Sequence, residues 1–359
     1  MISNNWPKHI QKYLFLLKDG FFELPYLSNS PQVMVDSMIK LPMTNHDQER
    51  QSIYLNNPLC KGVMRYRKLE EGFWIMATDI DIKENLMAKA VYDENLVKDY
   101  YFLSFSVFEY KFTFKDSKEA TLLSTCWTFY KPETRVATYF YKGTTGMFFN
   151  IAINKEWADN NLKGKKFPQK KAIKDFFNSE KGFYTWLDIA PRAHDLAKNM
   201  TKILETDAMD SLSILDLNKQ CKELIVEFFD NAFEDNRILD NISLSDLDYY
   251  NVAKAERMIL HNLHFPFLGI ESIASQVNTS PTKLKSNFKT VFGFSMLQYH
   301  KEKNMLLAMQ LIQNSDIQIQ DIASVVGYES GSKFAANFKK RFGELPTEAR
   351  NSSDLHKAM

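Results

Sequence analysis

The chain has 359 residues, of which 45% are apolar and 25% are charged, as in an ordinary globular protein. One hydrophobic core rarely serves so many residues, so we expect two or three folding units. The net charge of +1 excludes a strongly basic or acidic chain, and the apolar runs are far shorter than the roughly 18 residues that cross a bilayer. No small-residue cleavage site follows the N-terminus, so we expect a cytoplasmic protein that does not bind membranes.

The cysteines and histidines do not predict a metal site. Cys60, Cys126 and Cys221 are widely spaced and form no C-x-x-C pair, so we expect buried thiols rather than a disulfide or a zinc site. His261 and His264 have H-x-x-H spacing but no third ligand nearby, which favours surface or capping histidines. We expect no metal and no other cofactor.

The first half of the chain is predicted to be rich in strands. The aromatic segment from Trp6 to Phe22 is compatible with a short amphipathic helix, whereas residues from about Gly62 to Asn154 alternate in the manner of short strands. Turn residues separate those strands, and the segment from Gly143 to Gly146 is interpreted as a hairpin turn. This pattern predicts a small antiparallel sandwich or barrel.

Helical spacing replaces the alternation after residue 165. The segments with apolar residues three and four apart are residues 168–178, 191–206 and 211–234. An apolar stripe that includes Leu224, Ile225 and Phe228 needs a covering surface, and we expect a second copy of the chain to provide it. The competing account is that the stripe packs on the chain's own β-domain. Residues 235–241 are polar enough to form a linker.

The last hundred residues contain an internal duplication. The first copy has Ile273, Ala274, Val277, Ser280, Leu284, Phe288 and Phe292, and the second has Ile322, Ala323, Val326, Ser330, Phe334, Phe338 and Phe342. The offset is 49 residues up to the valines and 50 afterwards, so the second copy has one added residue in its turn. Each copy predicts a helix, a tight turn and a second helix, which Ser280 or Ser330 caps.

One face of each second helix is left free for DNA. Its residues are small and polar or cationic, and such side chains can approach phosphates and base edges. The candidate DNA-binding residues are Ser280, Thr282, Lys283, Lys285, Ser286 and Lys289 in the first copy and Ser330, Ser332, Lys333, Lys339 and Lys340 in the second. From Asn251 onward there are 13 Lys and Arg against 9 Asp and Glu, while the rest has 32 against 35, which also favours a polyanionic partner.

A single copy is equally compatible with a DNA-binding unit and with an ordinary helical hairpin whose lysines face solvent. Two copies joined by one continuous helix, from Ser295 to Gln313, favour DNA binding, because two such helices can enter major-groove faces about 34 Å apart.

This duplicated region resembles the DNA-binding domain of the AraC/XylS family of bacterial regulators. The most specific segment runs from Asp321 to Phe334, with the letters DIASVVGYESGSKF. It continues with Phe338, Lys339, Lys340, Gly343, Pro346 and Arg350. The resemblance implies seven helices over residues 245–350, and it places the helices that begin near Ser280 and Ser330 in the major groove.

Three positions depart from the pattern of that family. Met296 stands where a proline is usual, Asn304 where the connecting helix usually has an arginine, and Ala336 where the second recognition helix usually has an arginine. Because Ala336 is too short to reach a base edge, we expect the first copy to supply more of the base readout.

Members of that family commonly have a cupin-like β-barrel that binds a small effector, followed by helices that dimerise. The first 240 residues resemble this layout, with a strand-rich segment followed by a helical one. We therefore expect an α+β chain: a β-rich effector domain at residues 1–160, a helical linker and dimerisation region at 161–240, and an all-α DNA-binding domain at 241–359. The resemblance implies a transcriptional regulator that binds promoter DNA as a homodimer, with RNA polymerase as a further candidate partner.

A pocket in the β-domain would suit an apolar or aromatic effector. The aromatic residues that could line it are Tyr66, Trp74, Phe105, Trp127 and Tyr139. The same side chains could also simply fill the domain. Two alternatives stay open: a regulator without an effector whose first half only dimerises, and an enzyme or binding protein whose tail has acquired DNA affinity. The chain has no G-x-S-x-G motif and no glycine loop that would cradle a phosphate, so we expect no enzymatic activity.

Overall fold

A computed structural model of the chain describes residues 16–113, 119–162, 177, 183–186, 199–205, 210–232, 244–263 and 265–357. The chain forms two compact units, the first of residues 1–107 and 125–250 and the second of residues 108–124 and 251–359. The first unit is rich in strands and the second is mainly helical, which confirms the α+β class.

The described strands lie mostly in the first unit. In chain order they are β1 (Leu17–Lys18), β2 (Phe21–Leu27), β3 (Thr44–Asp47), β4 (Ser52–Asn56), β5 (Cys60–Glu70), β6 (Phe73–Ile82), β7 (Leu86–Val91), β8 (Tyr100–Thr113), β9 (Glu119–Tyr130), β10 (Ala137–Phe140), β11 (Thr145–Asn154) and β12 (Phe183–Trp186). They form a small sheet in the order β1-β2-β7-β10 and a large sheet in the order β12-β9-β8-β11-β6-β5-β4-β3. Strands β2 and β7 are parallel, and the other pairs with a described register are antiparallel.

The strands begin earlier in the chain than the alternation indicates. The prediction of a helix up to Phe22 is wrong at its end, because residues 17–18 and 21–22 lie in β1 and β2; residues 6–15 lie outside the described residues. The interpretation of Gly143 to Gly146 as a hairpin turn is also wrong. Gly143 does have a φ of 83° in a turn, but β10 belongs to the small sheet and β11 to the large one, so the chain crosses between sheets there.

Three labelled helices accompany the sheets of the first unit: α1 (Pro31–Met38), α2 (Lys155–Asn161) and α3 (Ser211–Ala232). Residues 199–205 are also helical, and most of the helices predicted over 168–178 and 191–206 lie outside the described residues, as does the predicted linker. Helix α3 matches the prediction for residues 211–234 closely.

The apolar stripe of α3 packs on the chain's own large sheet. The ring of Phe228 lies 6.0 Å from the rings of both Trp127 and Phe129 on β9, and Leu224, Ile225 and Phe228 are at most 3% exposed. The prediction that a second copy of the chain covers this stripe is therefore wrong, because the sheet already covers it.

The second unit is built from helices. In the described ranges 244–263 and 265–357 they are α4 (Asp246–His261), α5 (Ile270–Gln276), α6 (Pro281–Phe292), α7 (Met296–Asn314), α8 (Ile319–Val325), α9 (Gly331–Phe342) and α10 (Pro346–Lys357). Helix α4 starts within the first unit and continues into the second. Seven helices are the number that the resemblance implies. In the described part of the chain, none of the helices is long and apolar enough to cross a membrane.

Candidate nucleic-acid interface and cavity

The turns between α5 and α6 and between α8 and α9 have the same backbone. Asn278 has a φ of 53° and Gly327 a φ of 83°, so each turn has a left-handed residue directly after its valine. The next amide bonds back to the alanine of the first helix in both copies, from Thr279 to Ala274 at 3.0 Å and from Tyr328 to Ala323 at 2.9 Å. Since these bonds keep the offset of 49 residues, the added residue of the second copy lies after Tyr328.

Helices α6 and α9, the second helix of each helix-turn-helix unit and here called the recognition helices, each start at a serine cap. The Ser280 hydroxyl oxygen accepts from the Lys283 amide at 3.3 Å, and the Ser330 hydroxyl oxygen accepts from the Lys333 amide at 3.5 Å. These bonds satisfy amides that have no partner inside the helix. Each serine can still donate its hydroxyl hydrogen outward, so capping does not exclude a phosphate contact.

The two sides of α6 and α9 divide as the duplication predicts. The buried side of α6 has Leu284 and Phe288, and that of α9 has Phe334 and Phe338, all at most 1% exposed. The candidate DNA-binding residues on the other side are exposed except for Ser330, which is half-buried: Ser280, Thr282, Lys283, Lys285, Ser286, Lys289, Ser332, Lys333, Lys339 and Lys340. Each helix therefore presents cations and hydroxyls on a rigid surface.

Helix α7 connects the two helix-turn-helix units. It begins with a capping box, in which the Ser295 hydroxyl accepts from the Gln298 amide while the Gln298 side chain accepts from the Ser295 amide. Its buried Tyr299 donates to Glu256 on α4 at 2.7 Å. Its Glu302 accepts from the Nε of Arg341 on α9 at 2.6 Å. The second recognition helix is thus held to α7 by a side-chain bond that sequence reasoning missed.

A polar pair is buried on the same helix. His300 and Asn304 are 7% and 5% exposed, and the Asn304 amide nitrogen lies 3.5 Å from Nδ1 of His300. Burial lowers the pKa of His300, and the nearby Lys301 lowers it further, while a backbone hydrogen bond at Phe265 opposes them. His300 is therefore stabilised in its neutral form.

A second candidate site is a cavity of about 180 Å³ between the two sheets of the first unit. Strands β2, β7 and β10 form one wall, and α1 and strands of the large sheet form the others. The small residues Ala88 and Ala90 face the cavity. Gly62 also lines it, and no side chain fits at this position because a Cβ atom would lie 2.4 Å from the carbonyl oxygen of Asp79. An apolar cavity of about 150 Å³ can hold benzene, so this space suits a small molecule.

The five aromatic residues proposed from the sequence lie elsewhere; among the described residues that line the cavity, none of them is found. Side chains alternate along a strand, so Phe105 points away from the side that its neighbour Ser104 lines. Tyr139 sits between the lining residues Thr138 and Phe140 in the same way and contacts Phe21.

The other three aromatic residues pack beside or behind the cavity lining rather than in it. Trp127 packs against Phe105 at 4.6 Å on the side of the sheet that α3 covers. Tyr66 belongs to a core cluster against which Trp74 packs, and its hydroxyl lies 2.7 Å from Nε2 of His46.

Comparison with known proteins identifies the second unit. Residues 273–352 match the helix-turn-helix domain family. The HTH-type transcriptional regulator AlkR of Acinetobacter baylyi is 34% identical over 84 residues, which are 23% of this chain and 28% of AlkR. PqrA of Proteus vulgaris, described as a probable transcription factor, is 30% identical over 86 residues, which are 24% of this chain and 70% of PqrA. The chain belongs to the AraC/XylS family.

A solved AraC-type regulator from Chromobacterium violaceum is 27% identical, with a TM-score of 0.28, over 29% of this chain and 92% of that chain. The match to the helix-turn-helix domain family begins within α5, contains α6 to α9 in full, and leaves out the cavity. The chain spans less than a third of the length of AlkR. Membership of the AraC/XylS family thus rests on the second unit.

Proposed function

We propose that this chain is a sequence-specific DNA-binding transcriptional regulator whose helices α6 and α9 enter the major groove. The observation that supports this most directly is the equivalence of the two turns, Asn278 with Gly327 and their matching amide bonds, on a shared connecting helix. Two equivalent recognition helices joined by the single helix α7 can enter two successive major-groove faces of a DNA duplex.

The exposed side chains divide into two kinds of contact. Lysines on both helices bind phosphates and hold the register, which gives binding that weakens steeply with salt. Thr282, Lys283 and Ser286 lie at the start of α6, where side chains reach base edges. The full set of DNA contacts proposed is Ser280, Thr282, Lys283, Lys285, Ser286, Lys289, Ser330, Ser332, Lys333, Lys339 and Lys340.

Selection of duplexes from a random pool with the full chain tests the DNA-binding proposal. We expect enrichment of one motif and an affinity that falls with salt, and Lys339→Ala should weaken binding to every sequence alike. Lys142→Ala is the matched control, because Lys142 is an exposed lysine of the first unit that pairs with Glu84. Failure to enrich any motif at low salt would contradict the proposal.

We also propose that the first unit binds a small effector in the cavity between its sheets. A mostly apolar, partly open space of about 180 Å³ favours this over a regulator whose first half only dimerises, since a domain used only for dimerisation needs no such space. Homodimerisation is proposed through the outer face of α3, where Leu212, Leu215 and Val226 are 73%, 65% and 45% exposed. RNA polymerase is the further partner that a regulator of this family would contact.

A further inference from the structure

The floor of the cavity has a polar side chain where an apolar one would be expected. Asn150 lies in the middle of β11, opposite Met76 on β6, and β11 is an interior strand of the large sheet. Asparagine is disfavoured in interior strands, and its neighbours on the same face are Phe148 and Ala152. A residue that costs stability at such a position suggests a role in binding.

The Asn150 side chain has no hydrogen-bond partner within the part of the chain that the structure describes. Among the described residues, no hydrogen bond involves its amide group, nor the hydroxyls of Tyr26, Thr78 and Ser104, which also line the cavity. Polar groups inside a protein are ordinarily paired, so these donors and acceptors are available to a molecule in the cavity.

The described lining of the cavity offers such a molecule no unpaired charge. Among the described residues that line it, Asp79 is the one charged side chain, and its carboxylate is paired with Arg65 at 2.7 Å; Arg65 also pairs with Glu205 at 3.1 Å. A carboxylate, phosphate or ammonium group that binds on the cavity floor would therefore lose water without gaining a counter-ion from these residues, which is unfavourable.

We infer that the cavity binds a neutral amphiphile, with an apolar body of about six to eight carbons and one amide, carbonyl or hydroxyl group that hydrogen-bonds to Asn150. The inference rests on the proposed effector site and names its ligand class. The apolar lining covers the body, while the Asn150 amide, which both donates and accepts, discriminates a neutral polar group from a charged one.

A matched series of eight-carbon probes tests the ligand class on the full chain: octanamide, octanoate and octylammonium at pH 7.5. We expect octanamide to raise the melting temperature and to bind by calorimetry, because a ligand of the folded state stabilises it. Octanoate and octylammonium should bind at least about tenfold more weakly. Equal binding of either ion, or no binding of octanamide, overturns the inference.

Variants at Asn150 test the anchoring role. Asn150→Leu should weaken octanamide at least about tenfold, and Asn150→Asp should invert the preference in favour of octylammonium. If both variants unfold, Ala88→Phe serves instead: it fills the cavity from the opposite sheet and should abolish octanamide binding. Octanamide affinity that is unchanged in all folded variants refutes the role. DNA selection on the same samples separates this outcome from failure of the proposed DNA-binding function.

Discussion

The guanidinium of Arg350 on α10 donates to the carbonyl oxygen of Ile317 at 2.7 Å and to that of Ile312 at 3.3 Å. Ile312 lies in the last turn of α7, where carbonyl groups have no partner inside the helix, and Ile317 lies in the loop before α8. One side chain thus fixes the end of the connecting helix and the entry to the second helix-turn-helix unit.

Replacement of Arg350 by Met should destabilise the second unit. The change leaves two carbonyl oxygens without their donor, so we expect a loss of about 1 to 3 kcal/mol in the free energy of unfolding, measured by urea denaturation. Arg341→Met is the matched control, because its ion pair with Glu302 is partly exposed and should contribute less than about 1 kcal/mol. Equal losses for the two variants would contradict the role of Arg350.

Substitutions of Gly327, in the turn of the second copy, should lower stability less when the new residue tolerates a left-handed backbone. Gly327→Ala places a Cβ in open space but at a φ of 83°, so we expect a loss of about 1 kcal/mol. Gly327→Asn should cost less, since asparagine already occupies the equivalent position as Asn278. Thermal unfolding of both variants checks the order, and an equal or larger loss for asparagine would show that the two turns are not equivalent.

The exposed surface that we propose for DNA could be located from the sequence because the motif occurs twice, and each copy checks the other. Two copies with apolar residues every fourth position fix which side of α6 and α9 is buried, so the exposed lysines follow directly. The cavity could not be predicted in this way. Each wall strand alternates between two apolar faces, one toward the cavity and one toward the opposite side of its sheet, and composition cannot tell Ser104 from Phe105 in that choice.

The stability of the second unit should fall as the pH drops below 6.5. Burial lowers the pKa of His300 below its ordinary value of 6.5, so above that pH neither the folded nor the unfolded state holds the proton. Below it the unfolded state binds a proton that the folded state resists, and stability decreases until the folded pKa is reached. Urea denaturation at pH 7.5 and pH 5.5 should show a smaller decrease for His300→Gln than for the natural chain. An identical decrease would assign the effect to other groups.

The two faces of α3 should have separate roles. Leu215→Glu on the outer face should reduce the dimer fraction in sedimentation without a large loss of stability. Phe228→Ala on the inner face should cost about 3 to 5 kcal/mol in unfolding, because it leaves a cavity against Trp127 and Phe129, and it should leave assembly unchanged while the chain is folded. A chain that is monomeric at tens of micromolar would refute dimerisation and leave the DNA-binding proposal intact.

The two recognition helices should contribute unequally to base readout. In α9 the exposed side chain of Ala336 is too short to reach a base edge, while Lys333, Lys339 and Lys340 are exposed and are expected to bind phosphates. In α6 the exposed Lys283 is long enough to reach into the groove.

Variants in each helix measure that inequality on a panel of single-base changes in the selected motif. Lys339→Ala should weaken binding to all sequences alike and reduce the slope of log affinity against log salt by about one. Lys283→Ala or Ser286→Ala should cost about 1 to 3 kcal/mol at the selected motif and relax base preference at one or two positions, because these variants remove a base contact as well as affinity. If Lys339→Ala alters base preference as much as Lys283→Ala, then α9 reads bases despite Ala336, and the unequal roles inferred from that residue are refuted.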